Sequence, residues 1–182
     1  MDILPLILAA IVGTGVPVET LYAGMIAESE LEPRAERWGR QTVTARAYIQ
    51  SDDMQALQWL LDSVWPDVSF GYSQRIVKYH WAGDQTPTVK NVMAVRQAVF
   101  DDPEEDLRQM ALHLEWCRTQ TANRPLDRVD GDRELGALVC YNAGHYPSLH
   151  ASWWTTYDSH VTRYRQALEK SRTAIATSLS RK

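Results

Sequence analysis

The chain has 182 residues, 45% of them hydrophobic and seven of them tryptophan, enough to bury one core without staples and too apolar for a disordered chain. Its formal charge of -4 argues against non-specific binding to nucleic acid. Cys117 and Cys140 are too few and too far apart for a disulfide framework or a metal motif, so free thiols are the default, with one bridge between them left open.

Met1 to Val12 is apolar, yet it carries Asp2, lacks a basic n-region and a clear cleavage site, and is too short to cross a bilayer. It reads as a first core helix of a protein made without a secretion signal and without stable membrane insertion. Gly13 to Val16 joins it to a second helix that begins at Pro17 and carries apolar residues at helical spacing through Ala27. Glu28 closes that run, three residues after Met25 and seven after Leu21, at the edge of the apolar stripe, and Pro33 stops the helix within a turn. Burial there disfavours the charged carboxylate and suits Glu28 to proton donation. A solvated glutamate in a last helical turn is the ordinary alternative.

Further along, Met54, Leu57, Leu60, Leu61 and Val64 mark a helix that Ser51 to Asp53 can cap and Pro66 ends. Val92 to Phe100 marks another. Asp102-Pro103-Glu104-Glu105 is the clearest helix start in the chain, with a capping aspartate, a first-position proline and acids in the first turn. Asp132 opens a helix with Leu135, Leu138 and Val139 on one face and Gly144 as its stop, and the last helix runs through Tyr157, Val161, Tyr164 and Leu168. Residues 171–182 form a polar, basic C-terminal tail. Asp67 to Gln74 and Thr119 to Asp130 read as loops, where binding groups tend to lie. With no sustained period-two alternation anywhere, the fold class is all-α in the sense of mainly α.

Three separated segments then line up with one family. Glu28-Ser29, followed by Pro33 and Ala35, resembles the glutamate-serine motif of soluble lytic transglycosylases; Gly71-Tyr72-Ser73-Gln74 resembles their glycine-leucine-methionine-glutamine loop; and Tyr141-Asn142-Ala143-Gly144 matches their tyrosine-asparagine-alanine-glycine motif without a change. The helix that starts Asp102-Pro103 and carries His113-Leu114 resembles the family helix that starts aspartate-proline and carries tyrosine-leucine. Each motif is short, and their common order along the chain carries the resemblance. It implies a single lysozyme-like catalytic domain over residues 1–170, with a helical insertion at about 38–67 of the kind found in bacteriophage enzymes.

The resemblance also implies an activity: cleavage of the β-1,4 bond between N-acetylmuramic acid and N-acetylglucosamine in peptidoglycan, with one glutamate as acid and then base and a 1,6-anhydro ring in the product. On that carry-over Glu28 and Tyr141 are catalytic, with the phenol of Tyr141 beside the glutamate, and Ser29, Gly71, Tyr72, Ser73, Gln74 and Asn142 hold substrate. The muramic acid 6-hydroxyl is the nucleophile, and a pre-positioned intramolecular group has an entropic advantage that reduces the need for a second carboxylate. Tyr72, Ser73, Met110 and His113 depart from the family pattern.

Asp67 is a candidate second carboxylate, since an aspartate lies at that place in goose-type lysozymes, and it would support hydrolysis. A structural virion protein that keeps the fold and has lost activity is the reading from another class. The five histidines show no metal-ligand spacing, so no metal and no cofactor is expected. The expected partners are peptidoglycan glycan strands and other phage virion proteins. The expected site of action is the cell wall, reached from the bacterial cytoplasm either as a virion component or as an endolysin released through a pore.

Overall fold

The computed structural model describes residues 3–65, 67–76, 87–122, 126–143 and 151–180, and over these the chain is mainly helical. Leu4–Ala10 (α1) has Pro5 in its first turn, and Val18–Ser29 (α2) follows Pro17, held extended at ψ 146°. Proline is tolerated at such starts because first-turn N–H groups have no acceptor within the helix. Met54–Val64 (α4) is capped by Asp53, whose Oδ1 accepts from Ala56 N at 3.0 Å. The Thr88 side chain caps Val89–Asp101 (α5), and Asp102 caps Pro103–Thr121 (α6) by accepting from Glu105 N at 3.0 Å. After a short 3-10 turn at Asp127–Val129, Asp132 Oδ1 accepts from Glu134 N and Leu135 N to open Arg133–Ala143 (α7). Ala151–Leu179 (α8) is the longest helix described.

Three features differ from the sequence reading. Thr42–Gln50 is a further helix (α3), which its composition hides: Ala45 is its one buried residue, and no side chain caps its start. The expected C-terminal tail is instead the end of α8, which runs on to Leu179 with Ser171 fully buried. A small antiparallel sheet also forms, Glu36–Trp38 (β1), Val68–Phe70 (β2) and Arg75–Ile76 (β3) in the order β1-β2-β3. Strands of two or three residues are too short to print an alternating pattern. The pair Trp38↔Val68, reinforced by Gly39 N donating to Asp67 O at 2.7 Å, closes the excursion that carries α3 and α4.

Burial divides the chain into two apolar clusters. The larger draws Leu21 and Met25 from α2, Leu107 and Met110 from α6, Leu138 from α7 and Tyr164 from α8, with α1 against α6. The smaller packs Trp38 and Phe70 of the sheet against Leu57 and Leu61 of α4 and Val92 of α5, with the Trp38 and Phe70 rings edge to face at 5.8 Å. Met110, where the family pattern has a small residue, lies so close over Gly24 that a Cβ there would collide with its methyl group, so the small partner sits on α2 instead. Among the described residues no helix is long and apolar enough to cross a membrane.

Candidate active site

Glu28 sits in the last turn of α2, and its side chain is 7% exposed. The helix ends one residue later, before Pro33: Glu30 and Leu31 take left-handed conformations (φ 54° and 67°), and Leu31 N donates back to Met25 O. Left-handed backbone of this kind usually relies on glycine and costs roughly 1–2 kcal/mol at each non-glycine residue. The turn swings the chain into β1 and leaves the carboxyl facing α8.

Four groups meet that carboxyl. Tyr164 of α8 donates its phenol hydrogen to Oε1, Arg163 brings Nη2 to 3.5 Å from the same oxygen, and Asn142 of α7 hydrogen-bonds the carboxyl through its side chain. Arg37 of β1 adds a more distant positive field. Arg163 also reaches His160 Nδ1 at 3.3 Å and lies over the Tyr164 ring, 5.1 Å from its centre. Burial pushes the Glu28 carboxyl above the usual carboxylate range; Arg163, Arg37 and the Asn142 hydrogen bond pull it down, and burial prevails. Because Tyr164 and Arg163 both address Oε1, a proton on this carboxyl belongs on Oε2. Burial, then Arg163 and Arg37, lowers His160, which favours its neutral form.

The remaining expected site residues distribute unevenly. Tyr141 does not use its hydroxyl as the resemblance implied: it donates to the Ser73 carbonyl at 2.8 Å, while its ring lies 4.9 Å from that of His113. The phenol on Glu28 comes from Tyr164 instead. Asn142, expected on the substrate, contacts Glu28 itself. Ser29 is turned inward, its hydroxyl bonded to Met25 O at 2.9 Å as a capped carbonyl rather than a sugar contact.

The cleft loop is internally committed. Tyr72 is 1% exposed and packed in the larger cluster, and Ser73 is fully buried, its hydroxyl and N–H both held by Asp106. Neither side chain is available to a sugar wall. Gly71 adopts φ 77° and packs so tightly that a Cβ would strike Asp106 and Val99. Gln74 folds over it, donating to Gly71 O at 3.0 Å and accepting from Ser69 Oγ at 3.1 Å, so both ends of its amide are engaged within the turn. Asp67 is exposed at the base of β2.

Tyr164, Arg163, His160 and Arg37 were missed from sequence. The signal was a core-facing tyrosine on the last helix with a cation beside it and a histidine one turn earlier, a polar interruption of an apolar stripe. Tyr79, Trp81 and Tyr146, and the side chains of Trp153, Trp154 and Tyr157, aromatic groups of the kind that stack on sugar rings, lie outside the described residues. Among the described residues no three His, Cys, Asp or Glu side chains gather as metal ligands would. Compared with family models, with curated proteins and with solved structures, the chain finds no match.

Proposed function

We propose that the protein is a peptidoglycan lytic transglycosylase that cleaves the β-1,4 bond between N-acetylmuramic acid and N-acetylglucosamine, with Glu28 as its sole acid/base. One observation carries the reading: a nearly buried carboxyl raised by desolvation, hydrogen-bonded on Oε1 by Tyr164 and set at the end of α2. Oε2 gives its proton to the glycosidic oxygen as the C1–O bond breaks, and an oxocarbenium-like centre develops at C1. The 6-hydroxyl of the same muramic acid closes on C1, and its proton returns to Glu28, leaving the acid as it began. The developing carboxylate is held by Tyr164, Asn142 and Arg163. Bacterial cell wall is the site of action in this reading, as a bacteriophage virion component working among other virion proteins or as an endolysin.

A second reading, a catalytically idle structural virion protein, draws on the committed loop of Tyr72, Ser73 and Gln74. Digestion of purified peptidoglycan by wild type and by Glu28→Gln, with mass spectrometry of the products, separates the readings. Anhydro ends from wild type alone support transglycosylation. Reducing ends would point to hydrolysis with Asp67 assisting, and intact glycan from both proteins would support the idle scaffold.

A further inference from the structure

A cavity of about 460 Å³ opens between the end of α2 and the middle of α8, beside the carboxyl site rather than within it. Its size is that of a small-ligand site. Ile26 and Leu31 give it an apolar wall, Glu30 stands on the α2 side, and Arg163, Gln166 and Lys170 line the α8 side. The last three recur at helical spacing, so one face of α8 presents two cations with an amide between them. The depression continues along the same face past Gln166, Glu169 and Lys170 to Thr173 and Ala174.

Two details distinguish this from an incidental crevice between packed helices. Arg163 belongs both to the cavity and to the shell of Glu28; its side chain is 39% exposed and its contact with Glu28 Oε1 is a long 3.5 Å, so its charge is only partly answered there. Lys170 is exposed and has no ion-pair partner among the described residues. A planar guanidinium and an ammonium on either side of an amide suit a carboxylate on an extended ligand. Glu30 on the α2 side and Glu169 beside Lys170 discourage a bare polyanion, favouring a ligand whose negative charge is confined to one end.

We propose that this groove binds the acidic peptide that a peptidoglycan strand carries on its muramic acid, taking a peptide carboxylate on Arg163 and Lys170. The identity of the ligand rests on the lytic reading above, because Arg163 ties the groove to the carboxyl that would cut the adjoining sugar. Peptide-bearing strands are then preferred over bare glycan, and the side of the chain that reads the peptide is α8 rather than the Gly71 loop.

The test separates binding from catalysis. Muramyl dipeptide and its C-terminal carboxamide are titrated by calorimetry into Glu28→Gln protein with and without Lys170→Gln, thermal unfolding confirming that both remain folded. The acid is expected to bind about tenfold more tightly than the amide, a difference of about 1.4 kcal/mol, and Lys170→Gln to remove that discrimination. In the active protein, the ratio of kcat/KM on peptide-bearing over amidase-stripped strands falls towards one with Lys170→Gln. Equal affinity for acid and amide, or discrimination that survives Lys170→Gln, overturns the groove even where anhydro products form. Lys170-dependent binding by a protein that releases no products keeps the groove and overturns the lytic reading alone.

Discussion

Glu28 and Glu36 lie on either side of the turn that leaves α2, and their side chains are 7% and 4% exposed. Around Glu36 two arginines close in directly, Arg46 Nε at 2.7 Å on Oε1 and Arg96 Nε at 2.8 Å on Oε2, one from α3 and one from α5. Around Glu28 the nearest cation stands off at 3.5 Å, and the close partner is the neutral phenol of Tyr164. Glu36 joins elements of the smaller cluster through charge, whereas Glu28 is packed within the larger cluster with its charge incompletely answered. The same residue type at similar burial becomes a brace or an acid according to what the tertiary structure sets opposite it.

Glu28→Gln tests this contrast most severely. Loss of the proton donor is expected to lower the rate of anhydro-product release by about 10³-fold, roughly 4 kcal/mol in activation free energy, as measured by product mass spectrometry. Stability should move the other way. A carboxyl whose folded pKa is raised by burial contributes stability that is fully present below its unfolded pKa and is lost as pH rises through the folded one. The melting temperature of Glu28→Gln should therefore gain on that of wild type across that window, and equal pH dependence of the two would contradict a raised Glu28.

Glu36→Gln should do the reverse, leaving two arginines unmatched at a cost of about 2 kcal/mol, discounted because Arg46 is half exposed. By calorimetry the melting temperature falls by roughly 4–8 °C, while the folded fraction still cleaves. A large catalytic loss without loss of stability would make Glu36 part of the chemistry and erase the distinction.

Tyr164→Phe removes the closest donor to Glu28 and is expected to lower kcat by about tenfold, near the worth of one hydrogen bond to a charged group. Without that donor the charged form is less favoured, so the alkaline limb of the rate profile moves to higher pH; Arg163→Met moves it in the same direction. Movement to lower pH in either variant would contradict this account. The smallest effect belongs to Asp67→Asn, which leaves the rate within about twofold if Glu28 works alone, since exposed substitutions away from a site change little.

Legibility in the sequence followed the range of the interaction. The caps at Asp53, Asp102 and Asp132 are contacts between near neighbours, and each is where the residues announce it. Pro17 and the apolar run to Ala27 place α2 and leave Glu28 at its end for the same reason. Thr42–Gln50 stayed hidden because its helix leans on packing with α4 and β1 rather than on a cap or a broad apolar stripe. The sheet stayed hidden because its strands are too short to carry a period, and β1 pairs with a strand some thirty positions away.

What the sequence by itself determined is the helical class, most of the helix starts and a carboxyl at the edge of an apolar helix, since these depend on spacing and on caps a few residues away. Only the tertiary structure decided which phenol meets that carboxyl. Tyr141 carries the family motif, yet its hydroxyl goes to the Ser73 carbonyl, while Tyr164, 136 residues beyond Glu28 in the chain, supplies the bond. The packing of α8 against α2 fixes that choice, and such packing is set by the whole buried surface rather than by any local run of residues.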